Sequence, residues 1–151
     1  DNLNKKLEES RKDDEKRKVE QQYINEDHGV SFADAYPFLI IGQSSLDDLN
    51  ERLETPVPIN RFRTNFVFSG GTPYEEDNWK NFKIGTVEFK VVKPCARCVI
   101  TTTDQNTAQR SSEPLKTLSD YRKVNNKVMF GMNAVCNKTG VVYINQKIEL
   151  Y

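Results

Sequence analysis

Two cysteines, Cys95 and Cys98, are the residues whose type and spacing most directly suggest chemistry. They lie three positions apart in the segment KPCARCVITTTD, with Arg97 between them. A cysteine thiolate is both a nucleophile and a metal ligand, and a neighbouring guanidinium favours the ionised thiol. Four interpretations follow: a zinc site, a redox dithiol, a thiolate ligand of a soft metal or metal–sulfur cofactor, or two ordinary thiols.

The zinc and dithiol interpretations are disfavoured by what surrounds the pair. A closed zinc site needs four ligands, and the chain offers just Cys136 and His28 as further sulfur or nitrogen ligands. A thioredoxin-like pair needs its first cysteine at a helix N-terminus. Here the β-branched run that follows, 99–103, favours a strand. Metal ligation by one thiolate and an inert pair both stay open.

Other candidate groups have plain structural interpretations. Three adjacent acids, Glu75, Glu76 and Asp77, stand in a polar turn and are predicted to be solvated, with no partner for acid–base chemistry. Cys95 is interpreted as a packing or accessory thiol. Cys136 is interpreted as a small buried hydrophobic residue.

The elements that must position these residues are predicted to be mainly strands. Continuous or alternating apolar runs bounded by Gly, Pro and Asn are typical of short strands. A break at Gly85 makes 82–92 a predicted hairpin. The remaining predicted strands are 38–41, 65–68, 98–103, 128–136, 140–144 and 147–150.

Two short helices are predicted beside the strands. In the first, over 44–54, leucines recur at helical spacing and a serine can accept hydrogen bonds from the first turn. The second, over 112–123, has Ser112 as its cap and Pro114 at an early position. The residues that support the first helix are Ser44, Ser45, Leu46, Leu49 and Leu53.

Length and composition fit one globular domain with a charged leading segment. The 151 residues contain 22 Lys and Arg and 22 Asp and Glu, so neither nucleic acid nor an anionic membrane is expected as a partner. Three cysteines are too few for a disulfide framework, which predicts a reducing cytoplasm. Residues 1–27 are predicted to be a flexible charged tail or linker from a missing upstream domain. The globular domain is predicted over 28–151.

The sequence resembles the MOSC family, named after the C-terminal domain of molybdenum cofactor sulfurase. Within that family it is similar to the subgroup of the mitochondrial amidoxime-reducing component and its bacterial relatives. The resemblance covers nearly all of 30–150. It rests on five blocks in family order: SFADAYPFLIIGQSSLDDLNERL, NRFRTNFVFSGGTPYEEDNW, IGTVEFKVVKPCARCVITTTD, EPLKTLSDYR and MFGMNAV.

The resemblance implies that Cys98 is the catalytic thiolate and the molybdenum ligand. The two residues before it, Ala96 and Arg97, match positions that contact the cofactor in the family. The family usually has serine at Ala96, so a hydroxyl contact is lost there and a backbone contact remains. Arg97 would pair with the phosphate of the molybdopterin.

Two further family motifs supply the other implied cofactor contacts. The R-P-N motif falls on Arg63 and Asn65, where a guanidinium can neutralise phosphate and an amide can bond the pterin edge. The T-T-x-D-P-x-T-G motif places hydroxyls at Thr101 and Thr102. The chain departs from these motifs at Thr64, Gln105 and Ala108, which replace Pro, Pro and Gly.

The implied fold is a mainly β, barrel-like MOSC domain with a few peripheral α-helices, which agrees with the element pattern. The implied function is the molybdenum-cofactor-binding domain of an oxidoreductase that reduces N-hydroxylated compounds. An upstream N-terminal β-barrel domain of the same polypeptide would complete the cofactor site, so this chain alone is expected to bind the cofactor weakly or not at all. A separate flavin or iron–sulfur protein would supply electrons.

Two alternatives to the oxidoreductase stay open. A sulfur carrier or cofactor-binding module would act through a persulfide on Cys98 without redox catalysis. A structural domain would leave the thiols inert. Family-level descriptions also include pyridoxal phosphate binding, but no lysine in the chain stands in a setting that favours a Schiff base.

Overall fold

The computed structural model describes residues 36–151, so the predicted tail over 1–27 and the first residues of the predicted domain lie outside the described part. One compact unit spans Phe38–Tyr151. Its strands are β1 Phe38–Gly42, β2 Phe66–Phe68, β3 Asn81–Ile84, β4 Val87–Arg97, β5 Lys123–Val124, β6 Lys127–Lys138 and β7 Ile148–Leu150. Its helices are α1 Gln43–Arg52 and α2 Leu115–Tyr121, with 3₁₀ helices η1 Ile59–Phe62, η2 Glu75–Asn78 and η3 Val99–Thr102.

The strands form one sheet in the order β2-β1-β6-β4-β3-β7, with β5 pairing to β6. The β1–β2 pair is parallel and the other pairs are antiparallel. The longest strands, β4 and β6, pair with register shifts that bend them. The sheet curls into a nearly closed barrel, which confirms the predicted mainly β fold with two helices.

Alternation along β1 divides the core into two clusters. Leu39 and Ile41 point to one side and Ile40 points to the other, as strand geometry requires. The first cluster joins the sheet to the helices through Leu46, Leu49, Leu53, Val57, Phe62, Leu118 and Phe130. The second cluster contains buried strand residues alone and is the barrel interior: Phe68, Phe82, Ile84, Val87, Phe89, Val91, Met132 and Ala134 join Ile40 there.

Helix α1 is capped by a carboxylate that is distant in sequence. Its N-cap residue is Gly42, and the cap prediction for Ser44 or Ser45 is wrong. The Glu76 carboxylate accepts from the backbone N–H of Gly42 at 3.0 Å and from Ser45 Oγ at 2.8 Å. Glu76 is 1% exposed, so its predicted solvation is wrong as well. A negative charge here is favoured by the positive end of the helix dipole.

Helix α2 starts later than predicted. It begins at Leu115 with Pro114 as N-cap, and the Glu113 carboxylate accepts from the backbone N–H of Thr117 in its first turn at 3.0 Å. Ser112 is therefore not its cap, although the Ser112 carbonyl accepts from Lys116 N at 3.0 Å. Leu118 is fully buried in the first cluster and fixes the helix to the sheet.

The segment 140–144 is not a strand, contrary to the sequence prediction. Its Val141, Tyr143 and Ile144 side chains are exposed. The backbone N–H of Tyr143 donates to Gln146 Oε1 at 2.7 Å, which closes a local turn in place of a strand ladder. Within residues 36–151, no helix is both long and apolar enough to cross a membrane.

Candidate functional site

Strand alternation at the end of β4 separates the two neighbouring cysteines. Cys95 and Arg97 are half-buried, whereas Ala96 and Cys98 are exposed. Cys95 packs against the first core cluster. Cys98 follows the strand in an extended conformation, so its thiol continues the exposed face. This geometry presents Cys98 to ligands and packs Cys95 against the core, and the interpretation of Cys95 as a packing or accessory thiol stays a prediction.

The turn after Cys98 is 3₁₀ helix η3, and the prediction of a strand over 98–103 is wrong. The Cys98 carbonyl accepts from the backbone N–H of Thr101 at 3.2 Å and from its Oγ1 at 2.9 Å. Thr102 Oγ1 donates to the carbonyl of Val99. Threonine hydroxyls that bond backbone three residues earlier compete with a strand ladder. Both threonines are buried, and their contact with a cofactor stays a prediction.

Arg97 turns inward and joins β4 to η1. Its Nη2 donates to the Phe62 carbonyl at 2.8 Å, and its Nη1 donates to Cys95 Sγ at 2.9 Å. The guanidinium carbon lies 5.5 Å from the centroid of the Phe62 ring. The side chain therefore contacts protein groups on two elements.

Arg61 is a residue that sequence reasoning missed. Its Nη2 lies 2.9 Å from Asp104 Oδ2, and its side chain is 11% exposed. A second, longer bond of 3.5 Å runs from Nη1 to the Thr101 carbonyl. Arg61 thus attaches η3 and the loop after it to η1. Its place two residues before Arg63 was the one signal in the sequence. Nothing in the local pattern identifies Asp104 as its partner.

Asp104 organises the loop that follows η3. Its Oδ1 accepts from the backbone N–H groups of Asn106 and Thr107, both at 2.9 Å. The pKa of Asp104 is lowered from an ordinary 3.8 to about 2. The largest cause is the hydrogen bond from Thr107, followed by that from Asn106 and then by the Arg61 guanidinium. Gln105 Nε2 also donates to the Asn60 carbonyl at 3.0 Å. The loop is held to η1 although the family's proline is absent at Gln105.

The segment between η1 and β2 carries the other predicted contacts. Arg63 is exposed and adopts a left-handed conformation with φ of 53°. Asn65 binds β1 in both directions: its N–H donates to the Leu39 carbonyl at 3.0 Å, and its Oδ1 accepts from Leu39 N at 2.8 Å. Thr64 Oγ1 donates to the same carbonyl at 2.8 Å. Asn65 therefore holds this segment, and its contact with a pterin stays a prediction.

One hydrogen bond brings Cys98 and Arg63 to neighbouring turns. Arg97 precedes Cys98, Phe62 precedes Arg63, and the side chain of Arg97 binds the carbonyl of Phe62. Ala96 lies on the exposed face of β4, in register with Met129 of β6. The site thus has an exposed thiol and an exposed guanidinium. The rim beyond them is apolar, because Val99 is 61% and Ile100 is 55% exposed.

The donor set suits a metal that brings most of its own ligands. Among residues 36–151, no group of three or more His, Cys, Asp or Glu side chains could hold a metal ion. A metal that already carries dithiolene sulfurs can accept one protein thiolate, which Cys98 can supply, and thiolates suit such thiophilic centres. The exposed Arg63 can pair with an anionic cofactor. The residues therefore fit a molybdenum pterin cofactor at Cys98 and Arg63.

Comparison with known proteins identifies the family of the chain. The family model for the MOSC domain matches residues 27–149. Human mitochondrial amidoxime-reducing component 1 is 38% identical over 130 residues, which cover 80% of this chain and 39% of that protein. The mouse protein of the same name is 48% identical over 94 residues, covering 62% of this chain and 28% of the relative. Arabidopsis thaliana molybdenum cofactor sulfurase is 40% identical over 114 residues, which cover 68% of this chain and 14% of that protein.

Proposed function

The chain belongs to the MOSC domain family, and on that premise we propose that it is the molybdenum-cofactor-binding domain of an oxidoreductase that reduces N-hydroxylated compounds. The observation that carries this proposal is the exposed Cys98 thiol on a turn adjacent to the exposed Arg63. The similarity to the amidoxime-reducing components supports the substrate class. The chain spans 39% of the length of the human relative.

Each residue of the site has a distinct task in this proposal. Cys98 supplies the thiolate that ligates molybdenum, and Arg63 neutralises the phosphate of the cofactor. Ala96 offers a backbone contact in place of a serine hydroxyl. Thr101 holds the Cys98 carbonyl and thereby the direction in which the thiol points. When bound, the cofactor supplies a metal centre that delivers two electrons to the substrate.

The apolar rim supports a second domain over the site. Val99 and Ile100 are more than half exposed next to the exposed thiol of Cys98, and contiguous exposed apolar surface can mark a protein interaction site. We propose that an N-terminal β-barrel domain of the same polypeptide covers them and completes the cofactor site. The chain alone then binds the cofactor weakly. A separate flavin or iron–sulfur protein supplies the electrons, and the cytoplasm is the proposed location.

A sulfur-carrier role is the second candidate. It is favoured by the similarity to a molybdenum cofactor sulfurase and by the exposure of Cys98, which leaves the thiol accessible to a sulfur donor. In that case a persulfide on Cys98 would transfer its outer sulfur, and no electrons would pass to an N-hydroxylated substrate.

An anaerobic assay of the complete polypeptide distinguishes these candidates. The protein, loaded in cofactor-producing cells, is mixed with an amidoxime and with chemically reduced methyl viologen as electron donor. Two electrons and two protons convert the amidoxime to an amidine and water. The proposal predicts amidine formation that Cys98→Ser abolishes and Cys136→Ser leaves unchanged. No amidine, together with a mass gain of one sulfur atom on Cys98 after treatment with a persulfide donor, would establish the carrier instead.

A further inference from the structure

The guanidinium of Arg97 donates to two protein acceptors in the structure. Nη2 binds the Phe62 carbonyl and Nη1 binds the Cys95 sulfur. Nε is buried, and no acceptor among the described residues reaches it. A guanidinium is a rigid planar fork, so two acceptors at these positions fix its orientation.

The two acceptors lie on different elements. Phe62 ends η1, and Cys95 lies in β4 two residues before Arg97. The chain leaves Phe62 through the left-handed Arg63 and enters β2. Removal of the Arg97 bond would leave the Phe62 carbonyl without this donor and would weaken the hold on the left-handed turn that carries Arg63, which the bonds of Thr64 and Asn65 to β1 would then keep in place alone. Arg61 holds the same η1 helix from the side of η3, so it does not replace a bond to β4.

We infer that Arg97 is a positioning residue that clamps the Phe62–Arg63 turn to the end of β4, so that Arg63 and Cys98 face one ligand, and that it does not itself bind the cofactor's phosphate. The identity of that ligand rests on the proposed function. The clamp itself rests on the contacts of Phe62, Cys95 and Arg97. This role differs from the direct cofactor contact that the sequence resemblance implies for Arg97.

Lysine and methionine at position 97 separate the two roles. Lysine keeps the charge that a phosphate contact needs, but its single ammonium group cannot reproduce the fork across two acceptors. Methionine keeps apolar volume and removes both charge and donors. If Arg97 served only as a phosphate contact, neither substitution would change amide exchange in the unloaded chain, whereas the clamp predicts faster exchange in both Arg97→Lys and Arg97→Met.

The test is amide hydrogen exchange of the unloaded chain, resolved at Arg63 and Asn65, whose N–H groups bind the Asn60 and Leu39 carbonyls. Because bonds to a charged group are worth more than a neutral pair, we expect exchange about ten-fold or more faster in both Arg97 variants. The matched control is Arg52→Met, which removes an exposed arginine paired to Asp48 on α1 and should leave both amides unchanged.

Two results would overturn the clamp. One is exchange at Arg63 and Asn65 within about two-fold of wild type in Arg97→Met. The other is exchange at the wild-type rate in Arg97→Lys together with faster exchange in Arg97→Met. If Arg97→Met fails to fold, judged by exchange in β3 and β4, then Arg97→Gln is measured instead and the same limits apply. Absence of molybdenum from the loaded wild type would count against the proposed function, while the exchange result would still decide the clamp.

Discussion

Three arginines around Cys98 differ in what their side chains contact. Arg61 pairs with Asp104, Arg97 binds Phe62 and Cys95, and Arg63 is exposed. The sequence resemblance assigns cofactor contact to Arg63 and Arg97 alike. A single sequence does not show which carbonyl or carboxylate will lie beside an arginine, so this division of tasks required the tertiary contacts.

The carboxyl of Asp104 makes the fold sensitive to acid. Its pKa in the folded chain is about 2, below the ordinary 3.8, so the charged form stabilises the fold. That stabilisation is complete above pH 3.8 and is lost as the pH falls towards 2. We predict that the urea midpoint of wild type exceeds that of Asp104→Asn by a constant amount above pH 3.8. Between pH 3.8 and about 2 this excess should shrink.

The variant Arg61→Met provides the control for the cause. It removes the guanidinium and keeps the backbone N–H donors of Asn106 and Thr107. The excess of this variant over its own Asp104→Asn derivative should be smaller than in wild type, and its fall should be complete at a higher pH, because the folded-state pKa of Asp104 is then less depressed. An excess that does not depend on pH down to 2 would contradict the cause assigned to this pKa.

At the scale of elements, local pattern predicted β1, the β3–β4 hairpin, β6 and β7 but misjudged the turn after Cys98. The β-branched run 99–103 has high strand propensity. In the structure the hydroxyls of Thr101 and Thr102 bond backbone carbonyls three residues earlier, and the chain turns as η3. Propensity describes the average environment of a residue type, and this local bonding overrides it.

The cap of α1 is a second element-scale feature that lay beyond local pattern. Glu76 looks like one of three solvated acids, yet it binds Gly42 and Ser45, more than thirty positions earlier. We predict that Glu76→Ala lowers the free energy of unfolding by about 3 kcal/mol, because it leaves buried donors without an acceptor. The free energy is measured by urea titration.

The isosteric change Glu76→Gln separates the charge of the cap from its hydrogen-bond acceptor. Its amide oxygen can still accept from Gly42, while the charge that favours the helix N-terminus is lost. The expected loss is about 1 kcal/mol. Equal losses for the Ala and Gln variants would show that the charge, not the acceptor, dominates, and no loss for either would refute the cap.

At the scale of the whole molecule, the barrel depends on close approach of β6 and β1. Gly131 in β6 has φ of 81°, and a Cβ there would lie 2.7 Å from Ile41 Cγ1 and 3.1 Å from the Ile40 carbonyl oxygen. Alternation of apolar residues predicted both strands. It did not predict their contact at Gly131, because the register between distant strands is not written in either one.

A methyl group at this contact should weaken the whole fold. We predict that Gly131→Ala lowers the free energy of unfolding by about 2–4 kcal/mol, from left-handed backbone strain and overpacking together. Gly70→Ala is the matched control, since Gly70 has φ of 87° but nothing within 4 Å of its Cβ position. It should cost about 1 kcal/mol. Equal losses at both positions would exclude the clash as a cause.

The most direct test of the central claim is the molybdenum content of the complete polypeptide purified from cofactor-producing cells, compared with its Cys98→Ser and Cys136→Ser variants. Cys136 is half-buried beside the barrel interior, so its loss tests the effect of removing any thiol. The account predicts molybdenum in wild type and Cys136→Ser and its loss in Cys98→Ser. Equal molybdenum in all three proteins, or none in wild type, would contradict Cys98 as the metal ligand.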